Sequence, residues 1–540
     1  MDRYAQQIRD YLDRETKYRT SLFCRGFIIT DAKPDYTNYP FYGLWKQTKI
    51  GEYTAWVNPE TNVYTCKKYG RSAMLIGHGY DSETGEINEN RILEHILDAD
   101  NSGDEDRYKA IDAITGVFVL LISEGKRIWA IQDCGGQKML YYGLVDGSVV
   151  LTSMPQLAGD VFDLKRDEDV ERLINTKGYF RGSGFLPGSL SPYKELTRLS
   201  ANMSLDYQDG AFHITRVFPR TVRKECKSEE EKKKLIEDIY RIFTANISAT
   251  VKKWSKVGLS LTGGVDSRAT FACAKEHYQE LCCYSYQSKT SEMFDADAAK
   301  EICRAVDVKH RLYTIPEDTA QIPDYEVLKA IIEHNTSHMC KILPNELRKF
   351  IWLREHNDFD VELKSDISEI GRAYYTRKYY KINIPRTLLP RHLTIGQGRY
   401  FFEPWAFKYA DQAYASYMKE TGLTGDVFEY PMHDIAYWEV RMSSWAATAL
   451  TAQEFIHEIT IPYNNRKLMD LFLSFPEKDR LQDLPHKWLT ERGNPVVAGL
   501  DCSVKDSYFG KRRMLIETIY YLYATRLNTI RQKKLVAKQE

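Results

Sequence analysis

Residues 257–268, VGLSLTGGVDSR, limit what this chain can become more than any other stretch. Val257 to Leu261 form a short, largely apolar run of the kind a buried strand uses. Thr262, Gly263 and Gly264 make a tight turn, Asp266 and Ser267 stand where a helix should start, and Ala269, Phe271, Ala272 and Ala274 continue a helical face. A strand that turns through glycines into a helix N-terminus is an anion cradle. Glycine lets the backbone approach the ligand, unpaired N–H groups point at it, and the helix dipole favours negative charge. A bare Gly-Gly after a strand is more often only a turn. The hydroxyl of Thr262 before the pair and Asp266-Ser267 after it raise phosphate or pyrophosphate above that reading. The spacing is not the Walker type, which needs Gly-Lys-Ser/Thr.

The chain is long enough, at 540 residues, for two or three domains with full cores. Lysine plus arginine number 75 and aspartate plus glutamate 75, a balance that argues against a broad nucleic-acid-binding role and leaves room only for a local basic patch. Ten cysteines are scattered without metal or disulfide spacing, which reads as reduced thiols in a cytoplasmic protein. The first residues, MDRYAQQIRDYLDRETKYR, are polar and of mixed charge, unlike a secretory signal. No run approaches the ~18 apolar residues of a membrane span, so no membrane partner is expected.

Along the chain the pattern changes once. After a short amphipathic helix in residues 1–20, residues 22–205 read as short strands and turns, with one helix near Ile87–Leu97. Residues 219–234, PRTVRKECKSEEEKKK, lack a core pattern and read as a solvated linker. Leu235, Ile236, Ile239, Ile242, Phe243 and Ile247 then mark a helix stripe leading into the Gly-Gly turn. Strands at Leu281–Tyr286 and His310–Ile315 flank a helix at Ala296–Val306, which predicts parallel βαβ units. Helices dominate from Tyr325, ending in a long one at Arg512–Lys538.

The Thr262–Ser267 segment resembles the pyrophosphate loop, Ser-Gly-Gly-x-Asp-Ser, of the ATP pyrophosphatases, with Thr262 in place of Ser. The whole sequence resembles the asparagine synthetase family, including its β-lactam-synthetase-like relatives. The resemblance rests on residues 116–142, on Leu151 to Leu157, on residues 178–210, and on two later motifs. It implies an α/β multidomain fold: a glutaminase-like αββα sandwich over residues 1–212, a linker over 213–234, and a Rossmann-like ATP-pyrophosphatase domain with many helices over 235–540. The family's glutaminase uses a Cys at position 2, whose α-amine serves as base. Here residue 2 is Asp, and Cys24 in FCRGFII follows 23 other residues, so the first domain is expected to be degenerate.

The same resemblance assigns the site. Leu261, Thr262, Gly263, Gly264, Val265, Asp266 and Ser267, with Tyr286, are expected at ATP. VELKSDISEIGRAYY, residues 361–375, is similar to the family's second loop, but Ser368 stands where a magnesium-binding Asp is expected. Asp266, Asp366 and Glu369 are therefore the candidate Mg²⁺ ligands, while Lys364 and Arg372 add positive charge nearby. EITIPYNNRKLMD, residues 458–470, resembles Glu-x-Arg-x-Pro-Phe-Leu-Asp; Glu458 falls on the catalytic Glu, Thr460 replaces Arg, and Asn464-Asn465-Arg466 replace Leu-Asp and a basic residue. Tyr374 and its neighbour Tyr375 are candidate partners for Glu458. Lys505 and Lys511 are equal candidates for the lysine facing pyrophosphate. Asp295 and Asp297, at a helix start, are capping residues or ligand contacts.

What the resemblance implies is an ATP-dependent amide-forming ligase, with ATP and Mg²⁺ as cofactors and without its own glutaminase. The partners would be a small-molecule carboxylate and an amine, or a modified peptide, and a homodimer is the family-based expectation. Two other classes remain open: an enzyme that adenylates a carbonyl oxygen, and a catalytically weak ligase-like binding protein.

Overall fold

The computed structural model describes residues 3–182, 184–378, 388–398, 400, 403–425, 427–501, 515, 519 and 522. Its first half holds two antiparallel six-stranded sheets. One runs in the order Leu196–Arg198, Tyr141–Val145, Ser148–Thr152, Phe27–Thr30, Tyr53–Val57, Lys46–Ile50. The other runs Ala211–Arg216, Met203–Gln208, Arg127–Gln132, Ile114–Glu124, Arg71–Asp81, Val63–Lys68. Side chains alternate between the faces of a strand. Along Arg71–Asp81, Met74 and Ile76 meet Phe27, Ile29 and Leu151 of the facing sheet, whereas Ala73 and Leu75 meet Ile92, Leu93 and Ile96 of the helix Glu89–Ser102. Both faces are covered, which is why these strands read as continuous apolar runs.

The outer face of the first sheet is covered by the helices Arg3–Arg14 and Pro155–Phe162, and by Ile331 and Ile332 of the helix Tyr325–Asn335. The result is an αββα sandwich, one outer layer of which is partly supplied by the second half of the chain.

The charged segment behaves differently from its reading as linker. Ser228 and Glu231 form a reciprocal capping box, and the helix Glu229–Lys253 begins inside the segment 213–234. The last strand of the second sheet also extends to Arg216. The solvated face of the charge run is the first turn of a helix whose Ile239, Phe243 and Ile247 are fully buried.

The second half is organised by a parallel five-stranded sheet, ordered His310–Thr314, Leu281–Gln287, Val257–Ser260, Val361–Leu363, Glu458–Thr460. Counted within this half, the order is 3-2-1-4-5. The chain winds outward one way from Val257–Ser260, then returns to continue on its other side. Such a reversal opens a crevice at the carboxyl ends of the two central strands, where doubly wound sheets bind ligands. The crevice therefore lies between the loop after Ser260 and the segment after Leu363.

The halves are fastened by residues 458–466. Asn464 Nδ2 donates to Gly116 O at 2.6 Å, and Asn464 Oδ1 accepts from Gly135 N at 2.7 Å. Asn465 Nδ2 donates to Ala113 O and Thr115 Oγ1, both at 3.0 Å. Thr460 and Tyr80 share a 3.1 Å hydroxyl contact, and Arg466 donates to Asn202 at 3.1 Å. The positions where this segment departs from the family motif are those that face the sandwich. No helix among the described residues is long and apolar enough to cross a membrane. The proposed helix Arg512–Lys538 lies outside the described residues apart from 515, 519 and 522.

Candidate active site

The Thr262–Ser267 loop is held by its own hydroxyls. Gly264 N donates to Thr262 Oγ1 at 3.1 Å, Thr262 N donates to Ser267 Oγ at 3.2 Å, and the two hydroxyl oxygens are 2.9 Å apart. Here is a physical reason for hydroxyl residues on both sides of the glycines. Leu261 N, at the base of the loop, donates to Tyr284 O at 2.9 Å and keeps the loop level with the next strand. Asp295 accepts from Gly263 N–H while burial raises its pKa, so this residue braces the loop. Asp297 is exposed.

Gly264 is the N-cap of the helix Val265–Cys273 and provides no side-chain cap. The N–H groups of Val265, Asp266 and Ser267 are the orphan donors of a first turn, positioned to bind an anion. A Cβ on Gly264 would lie 3.0 Å from Thr262 Oγ1, so any larger side chain crowds the cradle.

Cations surround it. Arg372 Nη1 donates to Asp266 Oδ2 at 2.7 Å, and its Nε and Nη2 grip Asp483 at 2.8 and 3.3 Å. Asp483 also takes Arg377 at 2.6 and 3.0 Å. Burial would raise the Asp483 pKa, but Arg377 and Arg372 hold its carboxyl well below the usual range. Lys364, at the carboxyl end of its strand, lies 3.6 Å from Glu362 and 3.9 Å from Asp366. Burial opposes its charge, yet the Asp366 and Glu362 carboxylates keep it firmly protonated. Tyr286 is the penultimate residue of Leu281–Gln287, the strand beside Val257–Ser260, and Lys349 Nζ lies 4.0 Å from its ring centroid. His486 is fully buried, with Nε2 3.6 Å from Asp266 Oδ1 and neither ring nitrogen hydrogen-bonded. Burial lowers its pKa to about 4.

Asp266, Asp366 and Glu369 share the crevice but do not form a magnesium cage. Magnesium takes six oxygens, usually one or two carboxylates with waters and phosphate oxygens, and each carboxylate needs an oxygen turned to the ion. One Asp266 oxygen is taken by Arg372 and the other accepts the Ser368 hydroxyl. Burial, with Asp266 nearby, pushes Glu369 up to about 7 against the pull of Arg372. Asp366 is raised by burial against Lys364. Among the described residues, no group of three or more His, Cys, Asp or Glu side chains is placed to hold a metal ion. The residues present do not fit a carboxylate-held magnesium.

Glu458 is not brought to the loop. By register it stands opposite Val361, which stands opposite Val257, the first residue of a strand whose last residue precedes the loop. Its carboxylate contacts His78 Nδ1 at 2.9 Å and accepts from Trp254 Nε1 at 3.1 Å. Burial alone would raise its pKa, but His78, Arg25 and Trp254 together hold it at about 2. Motif similarity identified the strand but did not show which end faces the crevice. Tyr374 follows the second loop and stacks on Tyr437 with centroids 4.5 Å apart. The structure thus separates the pair expected to work together. Lys505 and Lys511 lie outside the described residues. Sequence reasoning missed Asp483 and His486, whose helix packs against the one opening at the loop.

Cys24 lies just before the first sandwich strand, with Sγ 3.4 Å from Glu60 Oε2 and 3.7 Å from Glu454 O. Burial, aided by Glu60, pushes its thiol up to about 12, and its own nitrogen is a chain amide donating to Ser21 O. A thiol held protonated is a poor nucleophile.

The fold defines a two-part protein: an αββα sandwich joined to a doubly wound parallel sheet with a glycine loop at its reversal point. A model of the asparagine synthase family matches residues 241–340 of the chain. No curated protein matches the chain. Among solved structures, it is similar to glutamine phosphoribosylpyrophosphate (PRPP) amidotransferase from B. subtilis complexed with ADP and GMP. That match has 11% identity and a TM-score of 0.22, covering 60% of this chain and 90% of that one. A structure of the allosteric regulatory enzyme of purine biosynthesis matches at 12% identity and a TM-score of 0.24, covering 61% and 90%. Scores of that size carry no functional weight.

Proposed function

We propose that the protein is an ATP-dependent carbon–nitrogen ligase acting through an acyl-adenylate. The observation that carries this is the uncapped helix start at the sheet's reversal point, flanked by Arg372 and Lys364. A substrate carboxylate oxygen attacks the α-phosphorus of ATP, and the bond from that phosphorus to the β-bridging oxygen breaks. The leaving pyrophosphate gathers negative charge, which the N–H groups of Val265 to Ser267 and the nearby cations stabilise. An amine then attacks the acyl carbon, AMP leaves, and the amine nitrogen gives up a proton. Glu369, poised near 7 beside the loop, suits that proton better than Glu458, which is committed to His78. The guarded thiol of Cys24 supports an amine supplied as free ammonia or on a second substrate, not cut from glutamine.

ATP–pyrophosphate exchange across a panel of carboxylic acids tests the reading. Exchange that depends on one class of carboxylate is expected. Exchange driven by a carbonyl compound without a carboxylate, or nucleotide binding with no exchange for any acid, would replace it.

A further inference from the structure

The crevice holds a guanidinium where the family resemblance leads one to look for a metal. Arg372 is fixed on two sides. Asp483 grips its Nε and Nη2, Arg377 locks Asp483 in turn, and the remaining Nη1 is aimed at Asp266 in the first turn of the loop helix. The Arg372 and Asp266 side chains are each 17% exposed, so the pair is shielded but not sealed from solvent. Each Asp266 oxygen already accepts a hydrogen bond, one from Arg372 and the other from the neutral Ser368 hydroxyl where a carboxylate is expected. His486, fully buried and without hydrogen bonds at either ring nitrogen, closes the other side of Asp266.

An unneutralised Asp266 in the first helical turn would repel a polyphosphate seated there. Something positive must offset it, either a bound divalent ion or an arginine. A planar guanidinium already fixed by one carboxylate fork has its ordering cost met before ligand arrives, and it can offer charge-assisted hydrogen bonds to phosphate oxygens. We infer that Arg372 performs the charge-neutralising task beside the loop, so that the site seats the nucleotide's phosphates without a carboxylate-held magnesium ion. This rests on the reading of the Thr262–Ser267 loop as the phosphate seat.

The test is calorimetric binding of ATP, and separately of inorganic pyrophosphate, to the full chain in excess EDTA and in magnesium. For the unaltered protein the dissociation constants in the two buffers should agree to within about fivefold, since Arg372 contributes in both. Arg372→Gln should weaken binding by about tenfold or more in either buffer, and Arg372→Lys by less. The double change Ser368→Asp with Arg372→Gln, which restores a carboxylate and removes the cation, should make binding magnesium-dependent. A structural role for Arg372 alone would not produce that new requirement. Binding by the unaltered protein that appears only with magnesium overturns the inference and leaves the ligase reading standing. Absence of nucleotide and pyrophosphate binding in every buffer removes the loop assignment itself, and the inference with it.

Discussion

The pocket around Cys24 and the crevice around Thr262–Ser267 both lie at strand ends where the family resemblance places chemistry. They differ in what surrounds the reactive atoms. At Cys24 the Sγ touches a carboxylate and a carbonyl oxygen, and burial outweighs the pull of Arg25 and Arg354, so the thiol is held protonated. At the loop, uncapped helix N–H groups and the Arg372 guanidinium stand beside the Asp266, Asp366 and Glu369 carboxylates. A motif residue survives in both, but only at the loop do uncapped helix N–H groups face the site. On the proposed reading, electrostatic surroundings, more than residue identity, separate the two pockets.

Gly264→Val should have the largest effect on that contrast. A branched side chain in the cradle should reduce pyrophosphate exchange by about a thousandfold, comparable to losing preorganised donors at an anion site. A variant with full exchange would break the comparison. Next comes the pair of glutamates. Glu369→Gln should slow amide formation by about a hundredfold and leave exchange nearly intact. Glu458→Gln should leave both rates intact but destabilise the fold by about 3 kcal/mol, because His78 loses its partner between the halves. Single-turnover kinetics beside denaturant unfolding separates the two outcomes.

The acid limb of stability sharpens the picture further. The His486 pKa is lowered from 6.5 to about 4 in the fold, so between those values the unfolded chain binds more protons. Stability should therefore fall as pH drops from 6.5 towards 4, by up to about 3 kcal/mol from this residue. His486→Phe should flatten that part of the profile in unfolding experiments at several pH values. His392, also lowered to about 4, contributes a share that the variant leaves in place. The smallest effect is expected at Cys24. Cys24→Ala should change neither exchange nor amide formation, and no steady release of glutamate from glutamine should occur with either protein. Glutamate release lost in the variant would reverse the contrast between the two pockets.

The parts of this molecule legible in its sequence are those set by local pattern. The strand, glycine turn and helix at 257–273 follow from neighbours in the chain, and so does the alternation that builds the parallel sheet. The start of the helix at Glu229 was also written locally, in Ser228 and Glu231, but the surrounding lysines and glutamates masked it as linker. The partners of Arg372 were not legible. Asp266 and Asp483 lie 106 and 111 residues away, and only the packing of separate helices brings them together. Glu458 shows the opposite problem: its motif was visible, but a three-residue strand carries no mark of which end faces the crevice.

The asparagines at 464 and 465 have a practical consequence. Their amides complete backbone groups of the sandwich at Ala113, Gly116 and Gly135. A fragment starting at Glu229 would strand those polar groups without their mates and uncover Ile331 and Ile332 as well. Expressing the second half alone is therefore a route to insoluble protein, and co-expression of both pieces is the sounder dissection.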